Sequence, residues 1–199
     1  MKTLTKHLCY KEILALEEGG YDKPIDILVV GTFNPDTLDN KENQAKWFYG
    51  REVNEFWFLF PRMLGMPSIH PADIDDEREH HEICKEFCDK NNVLVVDIIK
   101  EVKVRLKGFT DNEINALSLE DVEPFDFKAA FSHNKPKRVI FTWKSNNGKV
   151  VGVIKKEFID FLRANGIQFC AVPSASPFYL KGRKAKLDEW RKTYRSMCL

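Results

Sequence analysis

ILVVGTFNPD, residues 27–36, is the stretch that decides the fold of this 199-residue chain. The run from 25 to 30 is apolar apart from one aspartate, is rich in β-branched residues and stops at Gly31. Such a run is typical of a strand buried on both faces, as strands are in parallel sheets. Asn34 follows three residues after the glycine, on backbone that Pro35 stiffens. The question is what an amide does at the mouth of a buried strand.

Three more short apolar runs, and the helical segments between them, complete the fold prediction. Strands are predicted at 25–30, 93–99, 138–142 and 167–172. Apolar spacing and helix end signals predict helices at 5–17, 54–64, 73–91, 111–118, 124–132, 148–165 and 183–196. Strands that alternate with helices predict a single α/β domain over 1–199, with a parallel four-stranded sheet covered on both faces.

The composition is that of an ordinary globular protein, with 43% apolar and 31% charged residues. No apolar run approaches the roughly 20 residues that a membrane-spanning helix requires. The N-terminal segment carries acids and lacks the apolar core of a signal peptide, so we expect a cytoplasmic protein with no membrane partner. The odd number of cysteines, five, favours reduced thiols. Cys84 and Cys88, four residues apart, favour a half-buried helix face over a metal site.

Charge is distributed unevenly along the chain. Residues 132–199 contain 15 Lys and Arg against 4 Asp and Glu, a net charge of +11. Residues 1–131 contain 16 against 26, a net charge of −10. A basic C-terminal third suits a polyanion such as nucleic acid, and it equally suits solvated helices that pair with acids elsewhere.

The predicted architecture gives the polar residues a common location. In parallel α/β sheets, ligands bind beyond the carboxyl ends of the strands. Asn34 follows the first predicted strand and Ser174 follows the fourth. The two residues are therefore expected to line one cleft.

Three stretches, in their order and spacing, resemble the uracil-DNA glycosylase superfamily: GTFNPD (31–36), WFYGREVNEFW (47–57) and VPSASPFYLKGRKAKLDEW (172–190). The Asn-Pro pair is similar to the first motif of mismatch-specific uracil/thymine-DNA glycosylases. The Tyr-Gly, Asn-x-Phe-Trp and Pro-Ser-x-Ser-Pro sequences resemble hypoxanthine (deoxyinosine)-DNA glycosylases. VVDIIKEVKVRLKGFTDNEI (95–114) is similar to the segment that follows their second strand, so the resemblance spans about 27–195.

The resemblance implies a uracil-DNA glycosylase-like fold, a three-layer α/β/α sandwich with a four-stranded parallel sheet. It implies a monofunctional DNA glycosylase of base excision repair, acting without metal or cofactor. Such an enzyme flips a deaminated or mismatched base (uracil, hypoxanthine or thymine) out of the DNA and hydrolyses its N-glycosidic bond. We expect a monomer whose partner is DNA that contains such a base.

By the same resemblance, Asn34 is the catalytic residue and orients the attacking water. An amide offers both an acceptor and donors but is no strong base, so slow catalysis on good leaving groups is expected. Asp36 is an alternative base, although relatives usually have a small residue there. The other interpretation is that Asn-Pro is only a turn signal.

The base pocket is assigned to four residues. Phe48 or Tyr49, with Phe48 preferred, is expected to stack on the flipped base, unless Phe48 belongs to the core. Asn54 either contacts the base or caps a helix. Thr142 lies in the segment that touches the base edge in the relatives. Asp97, at the end of the second strand, is expected to give structural support.

The third motif is assigned to DNA contacts. Ser174 and Ser176 are expected to bind phosphates beside the lesion, or else to form a plain serine-rich turn. Either Tyr179 or Leu180 could be a wedge that fills the gap in the duplex. The cations assigned to the DNA backbone are Lys181, Arg183 and Lys184, with an ordinary solvated loop as the alternative.

Two departures leave a competing interpretation open. The first motif has one residue more than the compact Gly-x-Asn-Pro form, and Thr142 stands where relatives often carry Asn or Gly. A nucleic-acid-binding protein of the same fold that has lost turnover is therefore the alternative. A serine hydrolase lacks support because no Gly-x-Ser-x-Gly motif is present. The histidines at 7, 70, 80 and 81 are expected on the surface.

Overall fold

The computed structural model describes residues 4–36, 45–106, 111–144, 149–176 and 181–197. Its strands are β1 (Thr5–Lys6), β2 (Ile27–Gly31), β3 (Val93–Asp97), β4 (Ile99–Val102), β5 (Val122–Pro124), β6 (Arg138–Phe141) and β7 (Gln168–Ala171). Its α-helices are α1 (Tyr10–Glu17), α2 (Phe56–Met63), α3 (His80–Lys90), α4 (Asp111–Asn115), α5 (Phe127–Ala130), α6 (Lys149–Ala164) and α7 (Arg183–Met197). Short 3₁₀ turns lie at Pro71–Asp73 and Leu119–Asp121.

The central sheet is parallel and has the strand order β3-β2-β6-β7. Gly31 pairs with Asp97, and Phe141 pairs with Val30 and with Ala171, so the carboxyl ends of the four strands lie nearly level. All five residues of β2 are buried, which confirms the reading of its apolar run. Because only β6 separates β2 from β7, their ends lie roughly 10 Å apart.

Helices cover both faces of this sheet, and aromatic contacts join the helices of each layer. In one layer, Phe56 of α2 contacts Trp190 of α7, and Phe60 contacts Phe87 of α3. In the other layer, Phe127 of α5 stacks on Phe158 of α6 at 4.3 Å. Phe56 and Trp57 are fully buried, as expected of core residues. The result is the predicted three-layer α/β/α sandwich.

The predicted helix over 5–17 is wrong at its start. Thr5 and Lys6 form β1, which pairs with β4, and α1 begins only at Tyr10. The Thr5 hydroxyl donates to the Val104 carbonyl at 2.7 Å and so ties the segment into a sheet rather than a helix.

The predicted strand over 93–99 is really parts of two strands. The first, β3, ends at Asp97, and β4 begins at Ile99 in a separate antiparallel sheet of order β1-β4-β5. Asp97 interrupts the apolar run directly before this break, but one charged residue does not by itself mark the end of a strand. The predicted helix at 73–91 begins only at His80. None of the described helices is both long and apolar enough to cross a membrane.

Candidate functional site

Asn34 is held by the N-terminal segment. His7 and Pro35 form an isolated antiparallel bridge. The Leu8 amide donates to the Asn34 carbonyl, and the Asp36 amide donates to the Lys6 carbonyl, both at 2.8 Å. These bonds fix the backbone on each side of Pro35, which has no N–H to contribute. The Asn34 side chain is half-buried just beyond the end of β2.

Arg51 contacts the Asn34 side chain directly. Its Nη2 donates to Asn34 Oδ1 at 2.8 Å. Because a guanidinium has donors only, the amide must present its oxygen to Arg51, and its NH₂ group faces elsewhere. Burial lowers the pKa of Arg51 from its usual value, while the Asp97 carboxylate opposes that shift. The group stays charged at neutral pH.

Tyr49 and Thr142 link the ends of β2 and β6. The Tyr49 hydroxyl lies 2.8 Å from Thr142 Oγ1, which also donates to the Val30 carbonyl at 3.2 Å. Tyr49 has φ of 54°, a left-handed conformation that costs a non-glycine residue about 1–2 kcal/mol. Its ring stacks on Phe56 with centroids 4.1 Å apart, a contact that offsets this strain. Strained residues of this kind cluster at functional sites.

Gly31 is required by close approach at the same point. A Cβ there would lie 2.1 Å from Asp97 Oδ1 and 2.3 Å from the Tyr49 hydroxyl. A larger residue at position 31 would therefore displace the Asp97 carboxylate and the Tyr49 hydroxyl.

His7, whose backbone bridges to Pro35, forms a buried pair with Asp97. His7 Nε2 lies 2.8 Å from Asp97 Oδ2, and the side chains are 0% and 7% exposed. His7 Nδ1 accepts from the Cys9 amide, so the proton of the neutral ring is on Nε2 and is donated to Asp97.

The expectation that the histidines lie on the surface is wrong for His7 and for His70, which are 1% and 4% exposed. His70 Nε2 donates to the Glu52 carbonyl, and His80 Nε2 donates to the Ile69 carbonyl. Each of these rings donates a hydrogen bond to a backbone carbonyl of an irregular segment, and this bond compensates for the burial of the ring nitrogen.

The 173–176 turn is anchored by α2 and α7. Ser174 Oγ accepts from the Ser176 amide at 3.1 Å, which makes a local serine turn. The Ala175 carbonyl accepts from the Glu55 amide at 3.1 Å. The Glu55 carboxylate accepts from Lys186 at 2.5 Å, and Lys186 also donates to the Ser176 carbonyl at 3.1 Å. Lys186 is 1% exposed and the Glu55 side chain is 16% exposed, so the cation of this ion pair is buried and the carboxylate is partly buried.

The segment 51–55 connects the two polar turns. At one end Arg51 binds Asn34, and at the other Glu55 binds the 173–176 turn. Four residues span at most about 14 Å, so the turns lie near one another at the carboxyl edge. A cavity of about 320 Å³ borders this segment. Its lining includes Lys46, Trp47, Gly50, Arg51, Glu79 and His81.

The four residues predicted to bind the base differ in their burial and in their hydrogen bonds. Phe48 is 3% exposed and packs against His7 and Trp47, as its core alternative stated. Tyr49 is only partly buried. Asn54 Oδ1 accepts from the Phe56 amide at 2.9 Å, so its oxygen serves as a helix cap. Thr142 is 7% exposed, with its hydroxyl bound to Tyr49 and Val30.

The other predicted residues lie around the rim. Asp36 and Lys184 are exposed. Lys181 pairs with Glu189 at 2.7 Å, and Arg183 donates to Glu55 at 3.1 Å. The two wedge candidates, Tyr179 and Leu180, lie outside the described residues.

Sequence reasoning assigned no role to four residues that organise this edge: His7, Arg51, Glu55 and Lys186. Arg51 and Glu55 lie inside the second motif, so a charged residue on either side of Asn54 was an available signal. His7 and Lys186 contact partners that are 90 and 131 residues away along the chain, and no local pattern reveals such pairs.

The protein is a three-layer α/β/α sandwich. The polar residues of its candidate site lie at the carboxyl edge of the four-stranded parallel sheet. Among solved structures, it is similar to the solution NMR structure of a "putative Uracil DNA glycosylase" from Methanosarcina acetivorans. The TM-score is 0.55 at 20% sequence identity, over 89% of this chain and 94% of that chain. The fold is therefore uracil-DNA glycosylase-like. No family model matches the sequence, and a search of curated proteins finds no match.

Proposed function

We propose that this protein is a DNA N-glycosylase that removes a deaminated or mismatched base from DNA. One observation carries the proposal. The Asn34 amide and the 173–176 turn, each just beyond the end of a parallel strand, are bonded to the same segment, 51–55. Arg51, Glu52 and Val53 of that segment also line a cavity of about 320 Å³, whose lining does not include Asn34, Ser174 or Ser176. The similarity of fold supports the same reaction class without setting the substrate.

In this proposal Asn34 orients a water molecule at C1′ of an extruded nucleotide. The bond between C1′ and the base nitrogen breaks, and its electron pair leaves with the base. The water oxygen bonds to C1′, and a water proton passes to solvent or to the released base. Because an amide is a weak base, the sugar cation must develop before the water is deprotonated.

The neighbouring residues receive roles that suit their positions. Tyr49, partly exposed and held by Phe56 and Thr142, is the better stacking partner for the base, since Phe48 is buried. Ser174 and Ser176 bind phosphates beside the lesion. The cations Lys181, Arg183 and Lys184 face the DNA backbone around them.

The test is a panel of duplexes that carry uracil, hypoxanthine or a G·T mismatch, followed by alkaline cleavage of abasic sites. Wild type is expected to release at least one base. Asn34→Ala is expected to lose release by about 10²–10³-fold while DNA binding is mostly retained. If Asn34→Ala released the base as fast as wild type, Asn34 would not be the residue that orients the attacking water.

A binding protein without turnover is the second candidate, because Arg51 already occupies one acceptor position of Asn34 Oδ1. It predicts no release from any duplex of the panel, together with tighter binding to a lesion than to undamaged DNA. The same assay therefore separates the two functions.

A further inference from the structure

The proposed hydrolysis leaves negative charge on the departing base. The electron pair of the C1′–N bond moves into the base ring and is shared with its carbonyl oxygens. A fixed donor or cation in a poorly solvated site stabilises such developing charge more than it stabilises the ground state. The roles proposed so far orient water and grip phosphates, and they provide no group for this charge.

Arg51 is placed to supply the group that stabilises this charge. Its guanidinium is bonded to the amide that would orient the attacking water. In the proposed complex the water and the departing base meet at the same carbon, which brings the base into the neighbourhood of this guanidinium. Arg51 also lines the cavity of about 320 Å³, together with Gly50 and Trp47.

The backbone around Arg51 holds it in this position. The Asn54 amide donates to the Arg51 carbonyl at 2.9 Å, which closes a turn immediately before α2. His70 holds the next carbonyl, that of Glu52, at 3.0 Å. A cation on backbone fixed in this way needs little reorganisation when charge develops beside it.

We propose that Arg51 is a catalytic residue that donates to a carbonyl oxygen of the departing base and stabilises its anion. The inference rests on the proposed function and deepens it. It explains why Asn34, a weak catalyst alone, is bonded to a guanidinium. A residue that only positions Asn34 would slow every substrate equally, whereas a residue that stabilises the anion matters most for bases that leave poorly.

The experiment compares single-turnover release of uracil and of 5-fluorouracil, whose fluorine makes the base a better leaving group. The variants are Arg51→Gln, which removes the charge, and Arg51→Lys, which keeps it without the planar fork. Arg163→Gln is the matched control, since that arginine is 67% exposed near the end of α6. Thermal unfolding, and binding to DNA that contains 2′-fluoro-2′-deoxyuridine, verify folding and affinity.

Arg51→Gln is expected to release uracil about 10²–10³-fold more slowly than wild type, with a loss about tenfold smaller for 5-fluorouracil. Arg51→Lys should lie between, and Arg163→Gln should equal wild type. Equal losses for both bases, or no loss, would overturn the inference while leaving the proposed function standing. A wild-type protein that releases no base from any duplex would overturn the proposed function and this inference together.

Discussion

The position of Asn34 depends on contacts with residues that are distant in sequence. The buried pair of His7 and Asp97 supports the backbone next to it. His7 joins Pro35 through its backbone and Asp97 through its ring. A buried N–H that loses its acceptor costs roughly 1–3 kcal/mol, and more when the acceptor is charged.

The first prediction is that Asp97→Ala lowers the free energy of unfolding by about 3 kcal/mol. Asp97→Asn should lower it by only about 1 kcal/mol, because its side-chain oxygen still accepts from His7 Nε2. The measurement is urea unfolding at pH 7. The control is Asp36→Ala, which alters an exposed carboxylate and should change stability by less than about 0.5 kcal/mol. If Asp97→Ala were as stable as the control, the hydrogen bond between His7 and Asp97 would be refuted.

Lys155 gives a prediction about pH. Its Nζ donates to the Trp143 carbonyl at 2.9 Å and lies over the Trp143 and Phe141 rings, and the residue is 2% exposed. Burial lowers the pKa of Lys155 from 10.5 to about 8. Between these pH values the unfolded chain binds more protons at this group, so its contribution to stability rises with pH. Below about pH 8 both states are protonated, and the cost of the buried charge is constant.

The second prediction therefore concerns the stability of Lys155→Met relative to wild type. As the pH rises from 8 to 10.5, wild type should gain on the variant by about 1–3 kcal/mol. Denaturant unfolding across this range measures the change. Lys156→Met, at the exposed neighbour on α6, should keep a constant difference from wild type. A constant difference for Lys155→Met as well would show that burial does not lower the pKa of Lys155.

At the scale of elements, the ion pair between Glu55, directly before α2, and Lys186 of α7 anchors the 173–176 turn. Glu55→Gln leaves the buried Lys186 charge without its carboxylate, which costs about 3–5 kcal/mol, whereas Lys186→Met leaves Glu55 paired with Arg183 and costs less. The third prediction is that Glu55→Gln destabilises strongly and Lys186→Met less, while the double variant loses less than the sum. A double-mutant cycle should give a coupling of about 2–3 kcal/mol. Additive losses would mean that the two side chains do not interact.

The elements that sequence reasoning found were those whose pattern is local. The strands β2, β6 and β7 lie in largely apolar runs, and α6 and α7 have long, regular spacing, so these appeared close to their true bounds, whereas the predicted third run joined β3 to part of β4. The strands β1, β4 and β5 have two to four residues and exist only because they pair with one another. No periodicity can develop over such lengths, and the second sheet was missed for that reason.

The site was predictable in the same uneven way. Asn34 and Ser174 could be placed at one edge because strand ends in a parallel sheet share an edge. Arg51 could not be assigned, because its partner is fixed by tertiary contacts and not by spacing. Phe48 and Tyr49 are adjacent in sequence, yet the left-handed backbone at Tyr49 sends one ring to the core and leaves the other partly exposed.

At the scale of the whole molecule, the basic C-terminal third should dominate binding to DNA. Lys184 is exposed at the start of α7, two residues before Lys186, which donates to the Ser176 carbonyl. The fourth prediction is that Lys184→Ala weakens duplex binding several-fold and reduces the slope of log K against log salt by about 1. Fluorescence anisotropy over a salt series measures both quantities. Lys137→Ala, at the amino end of β6 and paired with Asp26, should leave the slope unchanged.

The most direct test is a crystal structure of the protein bound to a duplex containing 2′-fluoro-2′-deoxyuridine, which resists cleavage. We expect an extruded nucleotide with its sugar beside Asn34, its base within reach of Arg51 and a flanking phosphate on Ser174 or Ser176. A nucleotide that stays stacked in the duplex, or that enters the protein at the amino edge of the sheet, would contradict it.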